Sequence, residues 1–288
     1  VAAIVAFCDM RVDTRALSQV IERDQPVIDR MLTWLCDLGV LHRTSESTVE
    51  PGDKFVCEAV QRFVPEQDLI AAVLQLAKKT ARYSRLDAAR LADKADDREM
   101  ASRYYVIAAV QAIRIGAYPD AIDLLSRVIN VASSDRATVY AKYWLAEVQF
   151  LLHRYDEARA IYAELLCHQS VLSVEKRAIL CARNAQVMTM IDSDHAGAAL
   201  EVISRIPPLA LKKSDVAARA EILLASAAIA ILSGSQEHAD VVIHKLKVEL
   251  DTRATNPRWL DIAAALCKLS LITRGYAEAL PFSRGYGN

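Results

Sequence analysis

Three short runs of polar residues have the types and spacing that chemistry requires. Asp192-Ser193-Asp194-His195 combines carboxylates with an imidazole, the groups that bind divalent cations. Ser173-Val174-Glu175-Lys176 has the SxxK spacing of a serine nucleophile that a lysine assists. Cys167-His168 places a thiol next to an imidazole. Taken alone, these runs would indicate a metal protein or a hydrolase.

Their surroundings favour structural roles. Asp192 to His195 falls between two predicted helices, where Asp and Ser commonly cap a helix. The SDN and KTG motifs that accompany SxxK are missing, so Ser173 is expected to cap the helix that continues through Ile179. Cys167 and His168 are neighbours in a helix and therefore point apart. GxSxG and HExxH do not occur, and we expect no catalytic residue, bound cofactor or metal in this chain.

The composition favours a helical protein of the cytoplasm. The 288 residues are 53% hydrophobic and carry a net charge of -1, which excludes broad electrostatic attraction to nucleic acid. The six cysteines include no CxxC pair and are predicted to be reduced core residues. The longest apolar run, Ile222 to Leu232, is too short to cross a bilayer, so no membrane contact is expected. The chain starts at Val1 without Met and stops just after another hairpin begins, so we expect a fragment of a longer polypeptide.

A helical hairpin recurs along most of the chain. Gly116 follows one apolar run and Pro119 opens the next, which predicts a helix-turn-helix within residues 101–131. The small residue that follows such turns recurs at intervals of 37, 41, 40 and 40, at Ala121, Ala158, Ala199, Ala239 and Ala279. A larger side chain lies four residues beyond the first four of them, at Leu125, Tyr162, Ile203 and Ile243. Because one hairpin cannot bury its apolar face alone, the sequence predicts a mainly α chain built as an α-solenoid.

The first 64 residues have a different pattern. We predict three helices (Val1 to Phe7, a second capped by Asp13 or Thr14, and Pro26 to Gly39) and extended segments at Val40–His42 and Lys54–Val56. This order predicts a small winged-helix domain over residues 1–64, with its wing between His42 and Lys54. A helical connector over 65–97 and repeats over 98–288, the last one truncated, complete the predicted division of the chain.

Charge argues against DNA reading by this module. The helix that would enter a groove carries Arg30 against Asp29 and Asp37. Residues 1–64 contain seven Lys or Arg and ten Asp or Glu. Since phosphate contacts dominate affinity for DNA, we expect a structural or interdomain role for the module.

The connector region contains many basic and many acidic residues. From Leu76 to Arg103, the cations are Lys78, Lys79, Arg82, Arg85, Arg90, Lys94, Arg98 and Arg103, and the anions are Asp87, Asp93, Asp96, Asp97 and Glu99. A solvated helix face with i,i+4 ion pairs is the main interpretation. Contact with an anion or a nucleotide phosphate is the alternative.

The repeats resemble the tetratricopeptide repeat. The small-x-Tyr-x-x-Ala pattern around Tyr118–Ala121 and Tyr155–Ala158 is similar to that family's motif, although the family period is about 34. The resemblance implies that the small residue of each first helix is Ala109, Ala146 or Ala227. The third repeat has Val187 at that place, which implies looser packing of its helices. It also implies an inner face lined by the first helices, with Val106, Val110, Met188 and Leu224 on it. Its ligand- or partner-binding residues would be Arg103, Tyr140, Tyr143, Glu147, Phe150, Asn184 and Glu221. The alternative is that several of these are ordinary core between hairpins.

The order of the parts resembles the C-terminal half of STAND signal-transduction ATPases, which include bacterial transcription regulators. The resemblance is carried by LTWLCDLGVLHR followed by DKFVCEAVQRFVP, and by Arg103-Tyr104-Tyr105 through Ala121. It implies an upstream nucleotide-binding domain that would bind ATP. GxxxxGK[ST] cannot occur in this chain, because no two glycines are five residues apart.

These observations predict a non-catalytic regulatory arm that senses an effector, or binds a protein or peptide, on the inner face. The alternatives are a winged-helix DNA-binding regulator with a helical ligand domain, and a plain tetratricopeptide scaffold or adaptor.

Overall fold

The computed structural model describes residues 1–167, 172–204, 216–232 and 234–251. These residues are mainly helical. They divide into two compact units, one over residues 1–141 and one that begins at Lys142. The domain boundaries proposed at residues 64 and 97 stay predictions.

The first unit begins with helices around a small sheet. Its elements are α1 (Ala2–Cys8), β1 (Val12–Asp13), α2 (Thr14–Ile21), α3 (Gln25–Asp37), β2 (Leu41–Ser45), β3 (Thr48–Pro51) and α4 (Lys54–Gln61). The strands are antiparallel in the order β1-β3-β2, with Val12 opposite Val49 and Leu41 opposite Pro51. Leu17, Ile28 and other apolar residues of the helices and strands are fully buried. The β2-β3 hairpin follows α3, where the wing was predicted, and the winged-helix domain stays a prediction.

The prediction of an extended segment at Lys54–Val56 is wrong. These residues open α4, because the Asp53 carboxylate accepts hydrogen bonds from the N–H groups of Phe55 and Val56, at 2.9 and 3.1 Å. The wing therefore ends earlier, at Pro51. Gly52 lies between β3 and α4, and a Cβ there would lie 2.4 Å from the carbonyl oxygen of Gly39. The close backbone approach requires glycine at this position.

Helical hairpins make up the rest of the first unit. Its helices are α5 (Glu66–Thr80), α6 (Arg85–Lys94), α7 (Arg98–Arg114) and α8 (Tyr118–Val131). α9 (Asp135–Leu151) contains the boundary to the second unit. Each of α5 to α7 packs on the helix that follows it. Ser84 caps α6 and Asp97 caps α7 through side-chain oxygens that accept from Asp87 N–H and Met100 N–H.

The second unit continues with hairpins. Its further elements are α10 (Tyr155–Cys167), α11 (Val174–Ile191), a short 3₁₀ turn (Ser193–His195), α12 (Ala196–Ser204), α13 (Val216–Leu232) and α14 (Gln236–Asp251). α11 packs on α10, α12 and α13, and α13 packs on α14. One buried cluster joins α11, α12 and α13 through Ala185, Ala199 and Ile229.

The repeated small residues lie in the core of their units. Ala121, Ala158, Ala199 and Ala239 are at most 1% exposed, and the paired positions Ala109, Ala146, Val187 and Ala227 are fully buried. Leu125, Tyr162 and Ile243 are buried as well, while Ile203 is half-buried. The predicted α-solenoid of tetratricopeptide-like hairpins is thus confirmed for four repeats. Ala279, in the fifth, lies outside the described residues.

Three hairpins share one turn geometry. Gly116, His153 and Gly234 follow the first helix of their hairpins and have φ values of 78°, 60° and 72°. In each case the next residue's N–H bonds a carbonyl five residues back, as from Ala117 to Ala112 at 2.9 Å. This pattern is the Schellman motif, which satisfies the last carbonyls of a helix. The first helix of the third repeat ends differently, in extended backbone at Asp192 and the 3₁₀ turn.

Candidate functional site

The predicted binding residues are divided between the two units. Arg103 on α7 and Tyr140 on α9 belong to the first unit, and both are exposed. Four more belong to the second unit and are half-buried: Tyr143, Glu147, Phe150 and Asn184. Glu221 lies in α13, and its side chain is outside the described part of the structure. The binding role of the set stays a prediction.

Glu147 takes part in a largely buried network of the second unit. The Tyr162 hydroxyl donates to Glu147 Oε1 at 2.7 Å, and Arg183 Nε lies 3.6 Å from Glu147 Oε2. The Glu147 and Arg183 side chains are 14% and 16% exposed, and Tyr162 is fully buried. Burial and then the Glu147 charge raise the pKa of Tyr162 well above its usual value. Through these two contacts, the Glu147 carboxylate links α9 to α10 and to α11.

Arg183 joins two of the predicted residues. Its guanidinium carbon lies 5.2 Å from the centroid of the Phe150 ring, and it also pairs with Glu147. Its Nη1 donates to Gln186 Oε1 at 3.1 Å. Arg183 was not predicted from the sequence, although it directly precedes the predicted Asn184. An arginine inside an apolar helix is a signal, because such a cation needs a partner.

A second network of the same kind lies in the first unit. The Tyr105 hydroxyl donates to Asp93 Oδ2 at 3.1 Å, and Arg127 Nε lies 3.5 Å from the same oxygen. The Arg127 guanidinium carbon is 5.4 Å from the Tyr105 ring centroid. Burial and then the Asp93 charge raise the pKa of Tyr105 to about 12.

Both networks follow one rule along the chain. The tyrosine lies on the middle of three consecutive helices, the carboxylate comes from the helix before and the arginine from the helix after. The helices are α6-α7-α8 in the first unit and α9-α10-α11 in the second. Neither network was predicted from the sequence.

A cleft of about 690 Å³ opens in the first unit. It lies between the turn after α5, the beginning of α6, the C-terminal half of α7 and the first turns of α8. Its polar lining includes four arginines and two aspartates, namely Arg82, Arg85, Arg90, Arg127, Asp120 and Asp123. Ala81, Ala108 and Ala112 are buried residues of its wall, and Tyr83 and Ile115 are exposed in it.

Part of the predicted basic connector therefore borders a concave surface. Arg82, Arg85 and Arg90 line the cleft, and Arg90 also pairs with Asp87 at 3.5 Å across an i,i+3 spacing. Arg98 pairs with Asp96 at 3.2 Å, two residues away. These two ion pairs are closer along the chain than the predicted i,i+4 spacing. Asp87 and Arg90 lie within α6, whereas Asp96 and Arg98 span the turn between α6 and α7.

An apolar ridge is exposed on α3. Met31, Trp34 and Leu38, spaced three and four residues apart, share one side of the helix and are 42%, 63% and 57% exposed. A shallow cavity of about 450 Å³ runs beside Trp34 and is lined by two aspartates and two arginines, Asp29, Asp37, Arg30 and Arg43.

The residues that suggested chemistry have structural contacts. Ser173 Oγ accepts from Lys176 N–H at 3.3 Å, which confirms the predicted cap. Asp192 Oδ1 accepts from Asp194 N–H at 3.0 Å, so the acidic run is the predicted capping turn. In the described part of the chain, no group of three or more His, Cys, Asp or Glu side chains is arranged to hold a metal ion.

The cysteine prediction needs one correction. Cys8 and Cys57 are buried, and burial raises the pKa of Cys8 to about 12. Cys167, the last residue of α10, is exposed. His168 and Cys267 lie outside the described residues. No helix among the described residues combines the length and the apolar character that crossing a bilayer demands.

Comparison with known proteins gives distant structural likenesses. No family model matches the sequence, and no curated protein matches it. The chain is similar to BtubC (BKLC) from P. vanneervenii, with 18% identity, a TM-score of 0.48, and coverage of 70% of this chain and 89% of that one. It is also similar to a signal transduction ATPase with numerous domains (STAND) that has a tetratricopeptide repeat sensor, from Pyrococcus horikoshii. There the identity is 13%, the TM-score is 0.39, and the match covers 99% of this chain and about half, 52%, of the other.

Proposed function

We propose that this chain is the non-catalytic regulatory arm of a cytoplasmic STAND-type ATPase or transcription regulator. In this role it senses an effector or protein partner with its hairpins and contacts an upstream nucleotide-binding domain, which would bind ATP. The observation that carries the proposal is the apolar ridge on α3.

In the order of elements, α3 corresponds to the recognition helix, which a winged-helix protein inserts into the major groove. A helix used in that way presents cations and hydrogen-bonding groups to DNA. Here it presents Met31, Trp34 and Leu38, and the cavity beside Trp34 has two aspartates and two arginines, Asp29, Asp37, Arg30 and Arg43. Aromatic residues and Met are enriched in protein interfaces. The apolar ridge therefore fits a protein surface.

The hairpins support the sensing part of the proposal. The networks around Tyr105 and Tyr162 each fix three consecutive helices with charged groups. A scaffold held in this way can present exposed side chains and a cleft with little rearrangement on binding. The described residues that suggested catalysis serve instead as caps and turns.

The proposal is tested by ATP hydrolysis of the complete polypeptide. If the ridge holds a nucleotide-binding domain in its resting state, Trp34→Ala raises the turnover rate by about tenfold, because about 1.4 kcal/mol of restraint is lost. Val241→Ala, which shortens an apolar side chain 48% exposed on α14, is the matched control and leaves the rate unchanged. A polypeptide without ATPase activity, or equal rates in the two variants, would overturn the proposal.

A further inference from the structure

The arginine-lined cleft of the first unit has features that a solvated charged face lacks. Four guanidinium groups border one concave volume of about 690 Å³, which is within the usual range for small-molecule sites. Two of these arginines lie far apart in the sequence: Arg82 is in the turn after α5, and Arg127 is on α8. Arg90 pairs with Asp87 and Arg127 with Asp93, at 3.5 Å each, so Arg82 and Arg85 bring the charge that a bound anion would balance.

Two of the arginines are positioned before any ligand binds. Arg127 is held by Asp93 at 3.5 Å and by the face of the Tyr105 ring at 5.4 Å. The Arg85 guanidinium carbon lies 6.0 Å from the centroid of Tyr104. The Arg82 side chain is exposed and forms no hydrogen bond or ion pair with the described residues, so its five N–H groups are available to a ligand.

The backbone adds to the positive field. The N-termini of α6 and α8 both border the cleft, through Ser84 and Ala117. The partial positive charge at the start of a helix favours anions. α8 begins without a side-chain cap, although Asp120 in its first turn supplies a negative charge.

The other residues that line the cleft indicate which groups a ligand would carry besides its anionic group. Asp120 and Asp123 accept hydrogen bonds and are unfavourable to further negative charge, so they suit hydroxyl groups next to a single anionic group. Tyr83 and Ile115, 59% and 82% exposed, offer an aromatic ring and an apolar surface. A phosphate monoester has three acceptor oxygens and a charge of about -1.5 to -2, which several guanidinium groups can share.

We propose that this cleft binds a small phosphate monoester that carries hydroxyl groups, such as a nucleoside monophosphate or a sugar phosphate. The arginines hold the phosphate and the aspartates accept from the hydroxyl groups. The site lies outside the binding set predicted from the repeats, except that Arg103 is on the same helix, α7. The proposal depends on the sensing function above for the ligand's role as effector, while the binding itself does not.

The test is calorimetric titration of the 288-residue chain at low salt with adenosine 5′-monophosphate, ribose 5-phosphate, inorganic phosphate and adenosine. We expect a phosphate ester to bind, and Arg82→Ala to raise its Kd at least about tenfold through loss of a charge-assisted contact. Arg127→Lys keeps the charge but loses the planar fork, and raises Kd several-fold. Arg114→Ala removes an exposed arginine of α7 that is not in the lining, and leaves Kd within about twofold.

The outcomes separate the possible ligands. Tighter binding of the nucleotide than of ribose 5-phosphate assigns the base to Tyr83 and Ile115, whereas equal binding assigns the site to sugar phosphates. The proposal is overturned if neither ester binds, if adenosine or inorganic phosphate binds as tightly as the esters, or if Arg82→Ala and Arg114→Ala have equal effects. Ester binding that has no effect on ATP hydrolysis by the complete polypeptide would contradict the sensing function and leave the site in place.

Discussion

Glu147 is the residue whose environment most changes how the sequence is interpreted. Its position on the first helix of a repeat favoured a ligand-binding role. In the structure it accepts from Tyr162 and pairs with Arg183, and 14% of its side chain is exposed. Two contacts with helices α10 and α11 favour the core alternative for this position. Tyr140, 38% exposed on the same helix, has the accessibility that a contact residue needs.

Removal of the Tyr162 hydroxyl tests the network of the second unit. Tyr162→Phe leaves Glu147 with one hydrogen bond fewer in a largely buried place, so the free energy of unfolding should fall by about 1.5–3 kcal/mol. Urea denaturation followed by circular dichroism measures the loss. Tyr155→Phe is the control, since that hydroxyl contacts His153 at an exposed site and its removal should cost less than about 0.5 kcal/mol. Equal losses in the two variants would show that the network contributes nothing.

Tyr105 predicts a stability change at alkaline pH. Its pKa is raised to about 12 in the folded chain, against about 10 when unfolded, so the phenol keeps its proton longer in the folded state. Its contribution is complete below a pH of about 10 and is lost as the pH rises from about 10 to about 12. Urea midpoints measured at a pH of about 8, 10 and 11 should fall less steeply for Tyr105→Phe than for the unmodified chain. Parallel pH profiles would contradict the assignment.

Among helices and turns, local chemistry is what could be predicted. The predictions for Gly116, Ser173 and the recurring alanines rest on residues close to them in the sequence. In the structure Gly116 has a positive φ, Ser173 caps its helix and the described alanines are buried. The error at Lys54 is also local. Phe55 and Val56 favour a strand by residue type, but the Asp53 cap starts a helix at this point. The cleft and the tyrosine networks could not be predicted, because their members lie on different helices. Asp93 and Arg127, for example, meet only through the packing of α6, α7 and α8.

The hairpin turn predicts opposite results for one substitution at two glycines. Gly116 has φ 78° and no neighbouring atom within 4 Å of the position that an added Cβ would take, so Gly116→Ala costs about 1 kcal/mol through backbone strain alone. Gly197 lies in α12 with ordinary helical backbone and open space, so Gly197→Ala stabilises by about 0.5 kcal/mol. Thermal unfolding of the two variants checks the signs. A loss of stability in both would mean that packing, rather than φ, decides at these turns.

For the whole chain, exposed surfaces determine what function can be inferred. The ridge of Met31, Trp34 and Leu38 is apolar, and the arginine cleft is a concavity of the first unit lined by four arginines and two aspartates. The mainly α architecture could be predicted from the repeat, but a repeat does not specify a partner. The two surfaces make separate predictions, one for a protein and one for a small anion.

The proposed function requires that the first unit contacts a protein domain rather than DNA. Titration of the fluorescently labelled chain with the upstream nucleotide-binding region and, in parallel, with duplex DNA at low salt decides between the two. We expect saturable binding to the protein region, weakened at least about tenfold by Trp34→Ala, and no binding to the duplex. Salt-dependent binding to the duplex, with no binding to the protein region, would contradict the proposed function.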